Sequence, residues 1–153
     1  MGFLLVIGGI VVLLDQFSKF LVLRFMTIHS VIEIIPGFFN LAHVHNTGAA
    51  FSLLAGADPA WRRLFFICMS FAGLGIISYA YRKAPAGDFW QKSALALLFG
   101  GALGNLIDRL RFGEVVDFLD VYVGAHHWPT FNVADSAITA GAFLLLFAIL
   151  RGK

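Results

Sequence analysis

The sequence predicts an all-α integral membrane protein with four transmembrane helices, carrying a small surface-lying β-sheet and a short amphipathic helix on one side. Three observations carry this expectation. Hydrophobic residues make up 59% of the chain, and charged residues only 13%, against about 25% in soluble domains. So little polar side chain could not cover a water-facing surface. Four apolar segments approach the roughly 20 residues that a bilayer core of about 30 Å requires of a helix. The two longer connections between them are rich in Ile, Val and Phe and carry turn residues, a strand-like pattern.

The first segment runs from Phe3 to about Phe25. No positively charged stretch precedes it. "DQFSKF" follows where a small-residue cleavage site would stand, so it reads as a retained span and not a removed signal peptide. In the 26–60 connection, Pro36 and Gly37 mark a turn between short strands, and the stretch near 50–56 is expected to be the amphipathic helix. The second span is Leu64 to Tyr81 and the third is roughly Phe89 to Ile107, joined by the short link "RKAPAGDFWQK". In the 111–132 connection, "EVVDFLDVYVG" reads as a strand, and Gly124 to Pro129 turn the chain back. Val133 to Leu150 is the fourth span. Backbone groups in lipid must be satisfied within the segment, so the spans are helices. Residues 1–153 are expected to form a single membrane-embedded domain.

A net charge of +2, without Lys/Arg clusters interleaved with aromatics, excludes nucleic acid as a partner. The single cysteine, Cys68, cannot form an internal disulfide and is expected to be a small buried hydrophobe. Four spans place both termini on one side, where Arg82, Lys83, Lys92, Arg151 and Lys153 gather. Arg24, Arg62, Arg63, Arg109 and Arg111 stand on the other, so the positive-inside rule leans only slightly toward cytoplasmic termini.

Ionisable residues inside apolar helices are costly and functional by default. Asp15 and Lys19 lie four apart on one face of the first span and can pair. Such a pair serves either as a structural clamp or as a hold on a loop or substrate backbone. In the third span, Gly100 and Gly104 form a small-residue face for close helix approach. Asn105 and Arg109 share a helical face there, and a polar row of Asn105, Asp108 and Arg109 suits the ordering of a nearby carboxylate site.

Two acids stand out. Asn132 is a good N-cap, so Asp135 falls at the third helical position, where it resembles a capping box and gains from the helix dipole. Asp117 shares the apolar face of a 115–123 strand with Val115, Leu119, Val121 and Val123, a costly place for an unpaired carboxylate. Asp120 falls on the other face and is expected to be solvated. The turn after the strand is short enough to bring Asp117 beside Asp135. Two such carboxylates share one proton. The ionised one, expected to be Asp135, can deprotonate a water, and the protonated one, Asp117, can donate to a carbonyl oxygen. His43, His45, His126 and His127 could join these acids on zinc, but no H-E-x-x-H spacing is present. Ser52, Ser70 and Ser136 lack a histidine at any motif spacing for serine catalysis. A small proton-coupled transporter with Asp15, Lys19, Asp117 and Asp135 as relay groups is the alternative reading, although both key acids lie near one membrane face and not at the midplane. A non-catalytic membrane scaffold is a third.

"DQFSK" (15–19), "NTGAAFS" (46–52), "GGALGNLIDR" (100–109), "VVDF" (115–118) and "FNVADS" (131–136) together resemble, in order, the lipoprotein signal peptidases, the type II signal peptidases of bacteria. The resemblance implies four transmembrane helices with a sheet and small helix on the outer side. It implies a membrane aspartic endopeptidase that removes signal peptides from diacylglyceryl-modified prolipoproteins, cutting before the lipidated cysteine. By motif position the catalytic pair falls on Asp117 and Asp135. Supporting positions fall on Asp15, Lys19, Asn46, Gly101, Asn105, Arg109 and Asn132. The resemblance also implies inhibition by globomycin; the acid pair itself needs no metal, so no cofactor is expected, and membrane lipid is the expected surrounding. It implies a bacterial inner-membrane location with cytoplasmic termini and a periplasmic-side active site. The chain is expected to act as a monomer.

Overall fold

The computed structural model describes residues 1–48 and 58–152. Four long helices organise it: α1 (Gly2–Phe25), α2 (Pro59–Lys83), α3 (Phe89–Phe112) and α4 (Val133–Arg151). All four are long and apolar enough to cross a bilayer, which makes this a multi-pass membrane protein. The 24 residues of α1 reach about 36 Å at 1.5 Å per residue. The second helix begins five residues before the predicted Leu64. Asp58 caps it there, its Oδ1 accepting from the Ala60 and Trp61 amides, and Pro59 fits the first turn. The third runs five residues past Ile107, until Gly113 adopts a left-handed conformation at φ 82°. The predicted amphipathic helix near 50–56 lies outside the described residues.

Side chains are sorted opposite to a soluble bundle. Leu13, Phe17, Ile76 and Phe143 face outward, while Asp15 and Lys19 are buried. Cys68, expected inside, is exposed on α2. That helix packs chiefly against α3, so most of its circumference faces lipid. The central helix is α3, which also packs against α1 and α4. The predicted small-residue face makes this close approach possible. A Cβ on Gly100 would lie 2.8 Å from the Gly8 carbonyl oxygen of α1, and one on Gly101 would collide with the Ala134 carbonyl of α4. At one end of the bundle the Phe3 and Phe89 rings lie 5.9 Å apart, and Arg151 stands 6.0 Å over the Trp90 ring. The start of α1, the α2–α3 link and the end of α4 therefore gather there.

The other end carries an antiparallel sheet ordered β1-β2-β3-β4, formed by Val31–Ile35, Phe39–Asn46, Val115–Val123 and His126–His127. Gly37, at φ 77°, makes the predicted turn between β1 and β2. The register between β2 and β3 slips between Leu41 and Val44, giving β2 one extra residue. After that bulge Val44 pairs with Asp117 and Asn46 with Val115. The short β4 is an addition to the expected turn. Gly124, at φ 60°, folds the chain tightly enough for Tyr122 to pair with His127. Asp120, expected in solvent, is buried because both neighbouring strands cover it: Asn40 Nδ2 and His127 Nδ1 each bond its carboxylate at 2.8 Å. Burial raises the Asp120 carboxyl, but these bonds outweigh it and hold the group below the usual carboxylate range.

Candidate active site

The predicted residues converge where α1, α3, the sheet and the start of α4 meet. The floor is a buried ion cluster. Lys19 Nζ lies 2.9 Å from Asp15 Oδ2, 2.8 Å from Asp108 Oδ2 and 3.1 Å from Asn105 Oδ1. Three acceptors match the three hydrogens of an ammonium group. The two carboxylates do structural work with their other bonds. Asp15 Oδ1 accepts the Ala134 amide at 2.9 Å, supplying α1's acid to the open N-terminus of α4. Asp108 Oδ2 accepts the Val116 amide at 3.1 Å, fixing β3 to α3. Gln16 Nε2 bonds Asp108 Oδ1 at 2.9 Å and Asp15 Oδ2 at 3.1 Å.

Above this floor stand three asparagines. Asn105 Oδ1 receives Lys19, so its amide nitrogen points away and donates to Asp135 Oδ1 at 2.7 Å. Asn132 caps α4 as predicted, its Oδ1 accepting the Asp135 amide at 2.9 Å. Its Nδ2 then faces β3 and donates to Asp117 Oδ1 at 2.6 Å, with a further contact of 3.2 Å to Asn105 Oδ1. Asn46 completes the set, its Nδ2 bonding Asp117 Oδ2 at 2.9 Å while its Oδ1 accepts the Gly48 amide. Both oxygens of Asp117 are thus held by amides, from α4's cap and from β2.

Asp117 is 1% exposed. Burial pushes its carboxyl up to about 7, against the lowering pull of the Asn46 and Asn132 amides and Lys19, and the nearby Asp135 charge adds to the rise. Arg109 donates to the Asn105 carbonyl at 3.3 Å and lies 5.5 Å from the Phe66 ring, close enough for its charge to act on both Asp117 and Asp135. Gly101 is not a polar contact; its missing side chain lets Ala134, and so the start of α4, come close. Asp108, read from the sequence as part of the polar row of α3, and Gln16 both belong to the network, although neither falls on the supporting motif positions. Spacing carries a signal for Asp108, one helical turn past Gly104 and Asn105. The histidines engage elsewhere: His127 bonds Asp120, His43 bonds His45, and His45 Nδ1 lies 3.3 Å from Glu114. Beside Asp135 a groove of about 500 Å³ is lined by Trp128, Phe131, Ser136, Thr139 and Ala140.

Buried carboxylates where helices meet the membrane border mark a working site and not a packing element alone; fold and site together define an integral membrane enzyme. Solved structures agree. One described as a bacterial membrane enzyme, determined by the in meso method at 1.9 Å, superposes with a TM-score of 0.88 at 35% identity, covering 100% of this chain and 96% of that one. A second, at 2.3 Å, gives 0.86 at 36% identity over 99% and 89%. The sequence pattern of signal peptidase II matches residues 7–151. The lipoprotein signal peptidase of Syntrophus aciditrophicus (strain SB) is 46% identical over 96% of this chain and 91% of its own length. That of Geobacter sulfurreducens is 49% identical over 95% and 89%. The chain belongs to the signal peptidase II family. It is an aspartic-type peptide hydrolase of the membrane that processes prolipoproteins, and the transporter reading finds no support.

Proposed function

We propose that Asp117 and Asp135 are the catalytic pair, with Asp117 as the protonated acid and Asp135 as the base. The observation that carries this reading is Asn132, which donates to Asp117 at 2.6 Å while accepting from the Asp135 amide at 2.9 Å. One side chain thereby ties the Asp117 carboxylate to the backbone that carries Asp135, whose own carboxylate Asn105 holds. The rise of Asp117 to about 7 favours its holding the shared proton. Asp135 removes a proton from water, and the water oxygen attacks the scissile carbonyl carbon. Asp117 gives its proton to the carbonyl oxygen. Collapse of the resulting diol returns a proton to Asp117 and delivers one to the departing nitrogen, so no covalent enzyme intermediate forms.

The substrate on this reading is a prolipoprotein cut before its diacylglyceryl-modified cysteine. Its acyl chains fix the scissile bond at the depth of the acids, and the groove beside Asp135 takes apolar substrate groups. Asp15, Lys19, Asn105 and Asn132 hold the pair, Asn46 and Arg109 orient it or meet substrate backbone, and Gly101 admits α4. The peptidase domain is the whole of 1–153, acting as a monomer in contact with lipid and inhibited by globomycin. Arg82, Lys83, Lys92 and Arg151 at the end away from the sheet support a cytoplasmic placement of that end. On the opposite side Arg63 is tied to the Leu110 carbonyl and Arg109 to that of Asn105. The acids then face the outer, periplasmic leaflet of the bacterial inner membrane. The test uses detergent-purified protein and a lipidated precursor. Asp117→Asn and Asp135→Asn should each abolish signal-peptide release while thermal unfolding stays cooperative; release at the wild-type rate by either would refute the assignment.

A further inference from the structure

A second arrangement of chemistry-bearing side chains lies on β2, apart from the acids. His43 and His45 direct their Nε2 atoms at each other across 3.1 Å. Each ring's other nitrogen faces a group that only accepts. His43 Nδ1 lies 3.1 Å from the Met26 carbonyl oxygen, and His45 Nδ1 lies 3.3 Å from Glu114 Oε2. The Met26 carbonyl requires the hydrogen on His43 Nδ1, so the neutral His43 ring presents an Nε2 lone pair toward His45. With its own hydrogen on Nδ1, on the side of Glu114, His45 turns a second lone pair to the same point, where a metal ion is held by both rings; with its hydrogen on Nε2, it donates to His43 instead.

We propose that His43 and His45 form a binding site for a divalent transition-metal ion of the zinc and copper class. Two nitrogens each about 2.0–2.1 Å from a metal stand about 2.9 Å apart at a right angle and about 3.3 Å apart at the tetrahedral angle. The observed separation falls between these values. Imidazole suits zinc, copper and nickel. The outer partners match what metal-bound histidines require, a carbonyl on one ring and a carboxylate on the other, fixing tautomer and orientation. One further observation points the same way. The Ser30 hydroxyl is buried and has no hydrogen-bond partner among the described residues. Ser30 is the cross-strand neighbour of His43, whose amide donates to the Ser30 carbonyl at 3.0 Å. It offers a partner for water completing the coordination sphere. His43 is 5% exposed and His45 24%, so an ion reaches the pair from the His45 side. Neither catalytic candidate takes part, so the proposal stands independently of the dyad. Asn46 follows His45 directly, and an ion here would fix the end of the strand that holds Asp117.

The experiment titrates the full-length protein in detergent, purified with a tag free of histidine, with copper(II). Electron paramagnetic resonance reads binding independently of peptidase activity. Wild type should take up one equivalent with hyperfine coupling to two nitrogens. His29→Asn and His126→Asn should leave that spectrum unchanged. His45→Asn, at a half-open position that tolerates change, should lose one nitrogen coupling and bind at least tenfold more weakly. Glu114→Gln should weaken binding about tenfold or more while keeping both couplings. Failure of wild type to bind one equivalent, or an unchanged spectrum in His45→Asn, would overturn the proposal and leave a hydrogen bond between the two neutral rings.

Discussion

Lys19 Nζ and Asp108 Oδ2 stand 2.8 Å apart across the contact between α1 and α3, both side chains almost wholly buried. Asp15 lies on the other side of the same ammonium group. Removing Lys19 would strand two carboxylates in an apolar bundle. Lys19→Ala should lower stability by about 3–5 kcal/mol, the cost of leaving a buried charge unpaired, read as an earlier thermal transition in detergent. Asp108→Asn, which keeps an acceptor for the Val116 amide, should be milder.

The pair of asparagine contacts at the start of α4 separates capping from catalysis. Asn132→Ala loses both, including about 0.5–2 kcal/mol of helix capping. Asn132→Asp retains an oxygen for the Asp135 amide but sets a carboxylate where an amide donated to Asp117. It should keep most of the stability yet lose precursor cleavage. Precursor cleavage at the wild-type rate by Asn132→Asp would show that Asn132 serves α4 alone.

The protonation of Asp117 gives a signed pH dependence. Its folded value of about 7 lies above the ordinary carboxylate value, so the native state holds a proton that the unfolded chain releases. The stability it contributes is full below about 4 and is lost as pH rises through about 7. The Asp117→Asn protein should lack that decline, measured as unfolding temperature against pH. Activity follows the same sign: with Asp117 as the acid, kcat/KM should fall above about pH 7.

Helix contact supplies a graded test. A Cβ on Gly100 would meet the Gly8 backbone at 2.8–2.9 Å, whereas one on Gly73 in α2 meets nothing within 4 Å. Gly100→Ala should cost about 1–3 kcal/mol by overpacking, and Gly73→Ala should be neutral or gain up to about 1 kcal/mol of helix propensity. Thermal melts of the two proteins in one detergent would make the comparison.

The spans were legible because length and apolar content suffice to identify them. Asp117 was legible because an acid on an apolar strand face has to be explained. The errors have common physical causes. Cys68 lies in a helix apolar all round, so no periodicity tells which face meets α3. Asp120 sits on the face that alternation assigns to solvent, but Asn40 and His127 arrive from strands 80 positions before and seven after. The two-residue β4 exists only through its pairing. Asp15 and Lys19 were visible as a local pair, yet their third partner, Asp108, and the amide of Ala134 come from distant helices.

That last contact has a consequence for biosynthesis. Asp15 and Ala134 are joined across 119 positions of chain, so while Lys19 and Gln16 of the earliest helix can hold one oxygen of that acid from the start, the other waits for α4 before it meets its donor. A ribosome-bound chain arrested after α3 would hold Lys19 and Asp108 together but would contain neither Asn132 nor Asp135. On the proposed pairing of Asp117 with Asp135, proteolytic competence is the final event of insertion, and a half-made chain cannot cut its neighbours at the translocon.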